Sequence, residues 1–433
     1  MSNVSTYQTI LSQRSGGRTC TYQRTQGAWT RPHLGKAAQR ATEETILLLT
    51  ILYNSIIRLS YFPLLWKFAQ IVMVPKPGKP VDDATSYRPI SLLPVPSKVF
   101  EKLLLKWLGS DVDLSALIPD YQFGFRTGHS TIHQKQRVVH DIAKGLEEQQ
   151  LCTAVFLDVA QAFDKVWHTG LLYKLKTTLP GPYYLLLKTY LHARYFQVKY
   201  NNSYSACHEV LSGVPQGSVL GPLLYLIFTA DLPTTDHTTI ATFADDTGLL
   251  AVHTDPIVAS QRLQHHLNIL QARFDTWKIK VNQAKSIHVT FITKRTLCPP
   301  VAMNNVLIPI QTEVKYLGLH LDQRLTWRTR IRTKRHHLNL KLRGMYWLLG
   351  RKSELSLENK LLLYKCVLKP VWSYGIQLWG CAKPSHTQII QRLQSKILRS
   401  ITNAPWYVSN STLHNDLHVP FVATEINSTT NFW

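Results

Sequence analysis

Three carboxylates stand at the ends of apolar runs. Asp158 closes "CTAVFLDV" (residues 152–159), and Asp245 and Asp246 lie side by side in "TIATFADDTGLLAV" (residues 239–252). An isolated carboxylate among apolar neighbours is costly and tends to protonate. Taken alone, the adjacent pair reads as a hairpin turn, where Asp is common. Together with Asp158, the set has a second chemistry open to it. Mg²⁺ favours hard oxygen ligands, typically one or two carboxylates plus substrate phosphates. Three acids on two neighbouring strands can grip two ions roughly 4 Å apart, a clamp for the attacking and leaving oxygens of phosphoryl transfer.

The elements that must position these acids follow from apolar periodicity. "CTAVFLDV" reads as a fully buried strand, and "TIATF–ADD–TGLLAV" as a hairpin with the acids at its tip. Upstream, "ILLLTILYNSIIRL" reads as a mostly buried helix, "AQIVMVPK" and "YRPISLL" as strands, and a helix starts at Ser97 as N-cap. "DYQFGFRTGHSTIHQKQRVVHDIAKGLEE" gives a turn and a helix. "GLLYKLKTT" and "YYLLLKTYLHA" are helical, and "YFQVKYNN…ACHEVLSG" is a hairpin. "IVASQRLQHHLNILQARFDTWKIKV" is an amphipathic helix, and "IHVTFIT" and "VKYLGLHLD" are strands. Beyond Trp327 the pattern is helical only. Between Arg324 and Lys352 lie ten basic residues and no acid. Ile331, Leu338, Leu342, Met345 and Leu349 form one apolar face there and leave the others basic, as a phosphate-facing helix requires.

Composition narrows the partners. The chain has 433 residues and 49 Lys and Arg against 26 Asp and Glu, a formal charge of +23. That balance points to nucleic acid first, with an anionic membrane surface or a simply basic protein as rivals. Residues 1–42 carry six basic residues and no acid, and read as a disordered leader. The six cysteines form no Cys-x-x-Cys pair, which fits neither a zinc site nor a disulfide framework and suits an intracellular protein, nuclear or cytoplasmic. No secretory signal pattern begins the chain. Val210 to Ala230 lacks charge, but Gly213, Pro215, Gly217, Gly221 and Pro222 interrupt it, so a loop leading into a buried helix is expected and no membrane span.

The segments "FLDVAQAFDKVWHTGLLYKL", "SGVPQGSVLGPLLYLIFTADLP" and "FADD" follow one another in this order. They resemble the A, B and C motifs of reverse transcriptases of non-LTR, LINE-type retrotransposons, jockey-like in character. The resemblance also takes in "YFPLLWKFAQIVMVPKPGKPVDDATSYRPISLLPVPSKVFEKLL", "QFGFRTGHSTIHQ", "FDTWKIKVNQAKS" and "EVKYLGLHLDQRLTW", so it covers about residues 45–400. It implies an α+β right-hand polymerase: fingers and palm over 45–325, a helical basic thumb over 326–402 and a C-terminal tail over 403–433, behind the leader at 1–44. It implies RNA-directed DNA synthesis with an RNA template, a DNA primer and deoxynucleoside triphosphates as partners.

By the same resemblance Asp158, Asp245 and Asp246 are catalytic metal ligands for two Mg²⁺ ions, with Mn²⁺ as a substitute, and Asp246 is the least directly coordinating. Lys76 in "PKPGK" and Arg88 in "YRPI" would contact the triphosphate, since charge must be neutralised there. Gln216 and Gly217 would pack on the nucleotide, and Lys285 matches a palm lysine. Arg126, Arg328, Arg332 and Arg335 would contact nucleic acid. Elements of this type carry an endonuclease domain ahead of the polymerase. Only 44 residues precede the matched region here, so a copy lacking that domain is expected, and the alternative to an active enzyme is a catalytically silent nucleic-acid-binding remnant.

Phe163, five residues after Asp158, falls at the family's aromatic steric gate against the 2′-hydroxyl. The following Asp164 raises an RNA-polymerase rival, because such enzymes use an acid near this spacing to bind that hydroxyl, usually with an Asn partner. "SGVPQGSVLG" contains no Asn. Phe163→Ala or Phe163→Val is expected to raise the ratio of ribo- to deoxynucleotide incorporation; a ratio at the parent level contradicts the gate.

Overall fold

A computed structural model describes residues 42–294 and 297–430. Most of the basic leader therefore lies outside the described residues. The chain forms two compact units, each assembled from separate stretches. Among the described residues no helix is long and apolar enough to cross a membrane.

The first unit comprises the described residues up to Asp120, with Ala160–Leu232 and Phe274–Lys280. Its sheet runs in the order β2 (Tyr87–Leu92), β1 (Phe68–Pro75), β4 (Tyr195–Tyr200) and β5 (Ser203–Tyr204), with β6 (His208–Glu209) also on β4; β3 (Leu151–Leu157) belongs to the other unit. β1 and β2 are antiparallel, whereas β1 and β4 are parallel with Gln70 opposite Gln197. Helices Val95–Asp111, His168–Thr178, Gly181–Leu191 and Gly221–Phe228 contribute Phe100, Leu104, Leu171, Leu175, Leu187, Tyr190 and Leu224 to one buried core. All six large apolar side chains of "LLYLIF" in Gly221–Phe228 are enclosed, as is Gly221, while Pro222 is half-buried, as the charge-free stretch predicted.

Two expectations change here. The helix from Ser97 begins earlier, at Val95 behind Pro94, and the Ser97 hydroxyl lies inside it, donating to Glu101 Oε1 at 3.1 Å. The apolar helix around residues 46–59 forms as Glu43–Leu59 but buries only Tyr53 and Ile56, against Trp66 and Phe100. Ile46, Leu47, Leu48, Ile51, Leu52 and Leu59 stay exposed because a single face meets the core.

The second unit comprises Tyr121–Val159, Pro233–Arg273 and the described residues from Val281. Its main sheet is antiparallel throughout, in the order β7 (Thr239–Phe243), β8 (Asp246–His253), β3 (Leu151–Leu157) and β9 (Ile287–Phe291). β3 is central and all seven of its residues are buried. Helix Thr131–Glu147 backs the sheet through Val138 and Ile142. "VKYLGLHLD" is a hairpin, Glu313–Tyr316 against Leu319–Asp322, instead of one strand. Leu317 and Gly318 both take positive φ, 46° and 79°, the demand of a tight two-residue turn.

Helices Arg328–Gly344 and Pro384–Thr402 dominate the remainder around Trp327, Trp372, Trp379, Leu338 and Ile397. Ile331, Leu338, Leu342 and Leu349 are buried as the spacing predicted, and Met345 is half-buried where the helix breaks. Arg330 departs from the basic face: it is 1% exposed and donates to the carbonyls of Gly318 at 3.0 Å and Tyr374 at 2.7 Å. Two carbonyl acceptors offset its removal from water. Residues expected as a tail form helices Asn410–Asp416 and Val422–Thr430, and Leu417, Val419 and Val422 join this core.

His288 is fully enclosed on β9, with Nε2 2.7 Å from Thr153 Oγ1 on β3. Burial depresses its pKa from 6.5 to about 4. The unfolded imidazole takes a proton near 6.5 while the folded one resists until about 4, so its contribution is complete above 6.5 and is lost as the pH falls. Between pH 7 and 5 the parent should lose about 2 kcal/mol through this group. His288→Asn should show a correspondingly shallower decline in denaturant unfolding over that range; equal declines contradict the assignment.

Candidate active site

The three acids come from one sheet. Leu157 pairs with Thr247, so Asp158, one residue beyond β3, falls opposite Asp246, the first residue of β8. Phe243 pairs with Asp246, leaving Ala244 and Asp245 as a two-residue turn. Ala244 takes φ 57°, a backbone conformation that tight turns usually give to Gly. A left-handed Ala costs about 1 kcal/mol, so something must hold it.

The holding residue is Gln122. It is 4% exposed, and its amide brackets the strained residue: Nε2 donates to Ala244 O at 3.2 Å, and Oε1 accepts from Ala244 N at 2.9 Å. The same oxygen accepts from Gly124 N at 2.8 Å. Gly124 must be glycine, because a Cβ there would lie 2.3 Å from Ala244 N. Thr242 N donates to Tyr121 O and Phe123 N to Thr242 O, both at 3.0 Å, and Gln134 Nε2 donates to Thr242 O at 3.2 Å. Asp158 is strapped from the other side. Its N–H donates to Ser286 Oγ at 3.2 Å, and its carbonyl accepts from Asn282 N at 2.8 Å.

The carboxylates themselves reach solvent; the flanks are what is buried. Even so, the surrounding strands strip part of their hydration and the acids repel one another. Partial burial, then the charges of Asp245 and Asp158, push Asp246 up to about 6. Asp245 is also raised, first by burial and then by Asp158. Asp158 and Asp246 line one depression with Lys285, Lys315 and Tyr316. The donors suit a hard divalent cation. Among the described residues, however, no three His, Cys, Asp or Glu side chains stand together so as to hold a metal ion.

The other predicted residues divide between the units. Lys285 lies with the acids, and Arg328, Arg332 and Arg335 are exposed on one face of helix Arg328–Gly344. Half-buried Arg126 turns back to its own loop, donating to Gln122 O at 3.3 Å.

Lys76, Arg88, Phe163, Gln216 and Gly217 belong to the first unit. Lys76 and Arg88 share one face of the β1–β2 hairpin, where Val74 pairs with Arg88 and Lys76 N donates to Ser86 O. Lys76 Nζ donates to Thr85 O at 2.8 Å. The Gln216–Gly217 loop docks on β2 through Ser91 N to Gln216 O at 2.7 Å. Gly217 has φ 119°, and a Cβ there would meet Ser91 O at 2.7 Å. Phe163 stacks on Tyr225, with centroids 4.7 Å apart at 17°. Gln216 Nε2 donates to Asp164 Oδ1 at 2.8 Å, and Val214 N to Phe163 O at 2.8 Å. Glu101, fully enclosed, accepts from Val219 N at 2.7 Å and Leu220 N at 3.2 Å and so fixes the far side of this loop.

Sequence reasoning missed Gln122, Gln134, Ser286, Glu101 and Tyr225. All five lie inside quoted segments, but nothing in their types marks which distant group each one holds.

An antiparallel hairpin thus carries two aspartates beside a third at the end of the neighbouring strand. The chain belongs to the reverse transcriptase (RNA-dependent DNA polymerase) family, whose model matches residues 74–321. It is 44% identical over 389 residues to the probable RNA-directed DNA polymerase from transposon X-element of Drosophila melanogaster, across 89% of this chain and 43% of that protein. It is 40% identical over 386 residues to the RNA-directed DNA polymerase from mobile element jockey of the same species, across 87% and 42%. The chain thus spans less than half the length of these relatives. A solved structure of telomerase from Candida albicans, in complex with a telomeric RNA fragment, aligns with TM-score 0.44 and 13% identity over 89% of this chain and 64% of that one.

Gln122→Ala leaves the Ala244 and Gly124 amides without their acceptor. Hydrogen exchange across residues 240–250 should accelerate at least about tenfold in this variant, since even one of the three buried bonds lost is worth about that much. Unchanged exchange there would remove Gln122 from its clamping role.

Proposed function

We propose that the chain is the RNA-directed DNA polymerase of a non-LTR, LINE-type retrotransposon related to jockey and X-element. It extends the 3′-hydroxyl of a DNA primer with deoxynucleoside triphosphates along an RNA template. The observation that carries this reading is the strand register that sets Asp158 opposite Asp246, with Asp245 at the adjoining turn and Asp246 raised to about 6. Carboxylates crowded this way gain most from a cation.

Asp158, Asp245 and Asp246 would hold Mg²⁺, or Mn²⁺ in its place, through oxygen donors that match its chemistry. When bound, the metal supplies positive charge at the reacting phosphate and acidifies the primer hydroxyl. The remaining roles belong to the chain's own groups. Lys76 and Arg88 neutralise triphosphate charge. Gly217 leaves backbone free to approach the nucleotide, and Lys285 is the ammonium available to protonate the departing pyrophosphate. Phe163, backed by Tyr225, blocks a 2′-hydroxyl. Asp164 already accepts from Gln216, which supports deoxynucleotide over ribonucleotide synthesis.

Arg328, Arg332 and Arg335 would follow the phosphate backbone without reading bases, and Arg126 would support the loop beneath the acids.

Primer extension on an RNA template with Mg²⁺ tests the reading. The parent should add deoxynucleotides, and Asp245→Asn should lose at least about a hundredfold in rate while folding normally. A well-folded parent that binds template but adds nothing would instead favour the silent remnant.

A further inference from the structure

Seven residues, 403–409, join helix Pro384–Thr402 to helix Asn410–Asp416 in the second unit. At their centre Trp406 is 89% exposed and Tyr407 72% exposed, the rings T-shaped with centroids 6.0 Å apart. Exposure of two large aromatics is expensive, and flexibility does not account for it. Arg399 laces the loop from the preceding helix. Its guanidinium donates to Pro405 O at 2.6 Å, Val408 O at 2.7 Å and Asn410 Oδ1 at 3.0 Å, on both sides of the aromatic pair. Both ends are capped as well: Asn403 takes the left-handed conformation, and Ser409 Oγ accepts from Thr412 N at 3.0 Å. The rings are thus presented on a braced support.

The surrounding charge names the partner. From Lys383 to Asn415 there is no Asp or Glu. Arg392 and Lys396 are exposed on the helix face from which Arg399 reaches the loop, at spacings of four and three residues. Aromatic faces beside a basic, acid-free stripe fit a strand whose bases are unstacked and whose phosphates are near. A protein surface would have to bring its own acids to meet this stripe.

We propose that the 403–409 loop is a stacking platform for unpaired nucleotides of single-stranded nucleic acid, with Trp406 and Tyr407 taking bases and Arg392 and Lys396 the adjoining phosphates. The platform lies outside the residues assigned to nucleotide addition and acts whether or not the aspartates are active. Phosphate contact alone would be indifferent to bases; stacking is not.

Equilibrium binding by the full chain, without metal or nucleotide, tests this. The probes are single-stranded RNA and DNA of about 15 nucleotides, an abasic strand of the same length, and a blunt duplex. Trp406→Ala combined with Tyr407→Ala should weaken both base-bearing single strands at least about thirtyfold. Affinity for the abasic strand and the duplex should match the parent, the salt slope should not change because no charge is removed, and Trp406→Phe with Tyr407 intact should bind nearly as the parent. Equal losses on the abasic strand or duplex overturn stacking. Undiminished affinity for every probe overturns the platform and gives the rings to a protein contact. Extension from a pre-annealed primer by the same variant reports the catalytic reading separately.

Discussion

The second unit holds Asp158, Asp245 and Asp246 together at one end of a buried sheet, where partial burial first and mutual repulsion second penalise the charges of Asp245 and Asp246. Like charges this close separate if the backbone allows it. Here β3 is enclosed on every residue, β8 is paired on both sides, and the turn between β7 and β8 is bracketed by a single buried amide. The carboxylates stay accessible while everything that bears them is fixed. Partial burial first, and then the charges of Asp245 and Asp158, raise Asp246 to about 6, and a divalent cation would be the natural relief. Strain at Ala244 belongs to the same design. A left-handed non-glycine persists only where its surroundings over-determine it, and Gln122 with Gly124 supplies that surrounding.

The first unit applies the same economy to a different task. Its predicted nucleotide residues hang on backbone contacts that tie three local features together: β2 to the Gln216–Gly217 loop, that loop to the Phe163–Asp164 turn, and the loop's far side to Glu101. Glu101 is raised chiefly by desolvation, which two backbone N–H donors and Ser97 partly offset. A buried acid with those partners is a structural clamp. Its setting differs from that of Asp245 and Asp246, whose pKa values rise partly because other acids stand beside them.

Much of this was legible in the sequence. Apolar runs with acids at their ends located β3 and the β7–β8 hairpin, and a charge-free stretch with early Gly and Pro located the loop before helix Gly221–Phe228. The illegible features depend on long-range contacts. Gln122 grips a residue 122 positions away, and nothing in "YQFGFR" reveals this. Arg330 sits in a run of basic residues yet points inward, because two carbonyls await it at Gly318 and Tyr374. "VKYLGLHLD" lacks the Asn-Gly signal that usually marks a tight turn, so its hairpin was hidden. The helix Glu43–Leu59 shows the reverse error: apolar composition predicted burial that its one packed face does not provide.

The proposed cation site can be located directly. Fe²⁺ substituted for Mg²⁺ and treated with ascorbate and peroxide generates hydroxyl radicals that cut backbone close to the bound ion. Cleavage should fall around residues 157–159 and 244–247, disappear with excess Mg²⁺, and be lost in a folded variant carrying Asp245→Asn and Asp246→Asn. Cleavage elsewhere, or cleavage at these segments that persists in that variant, would contradict a metal site built from the three aspartates.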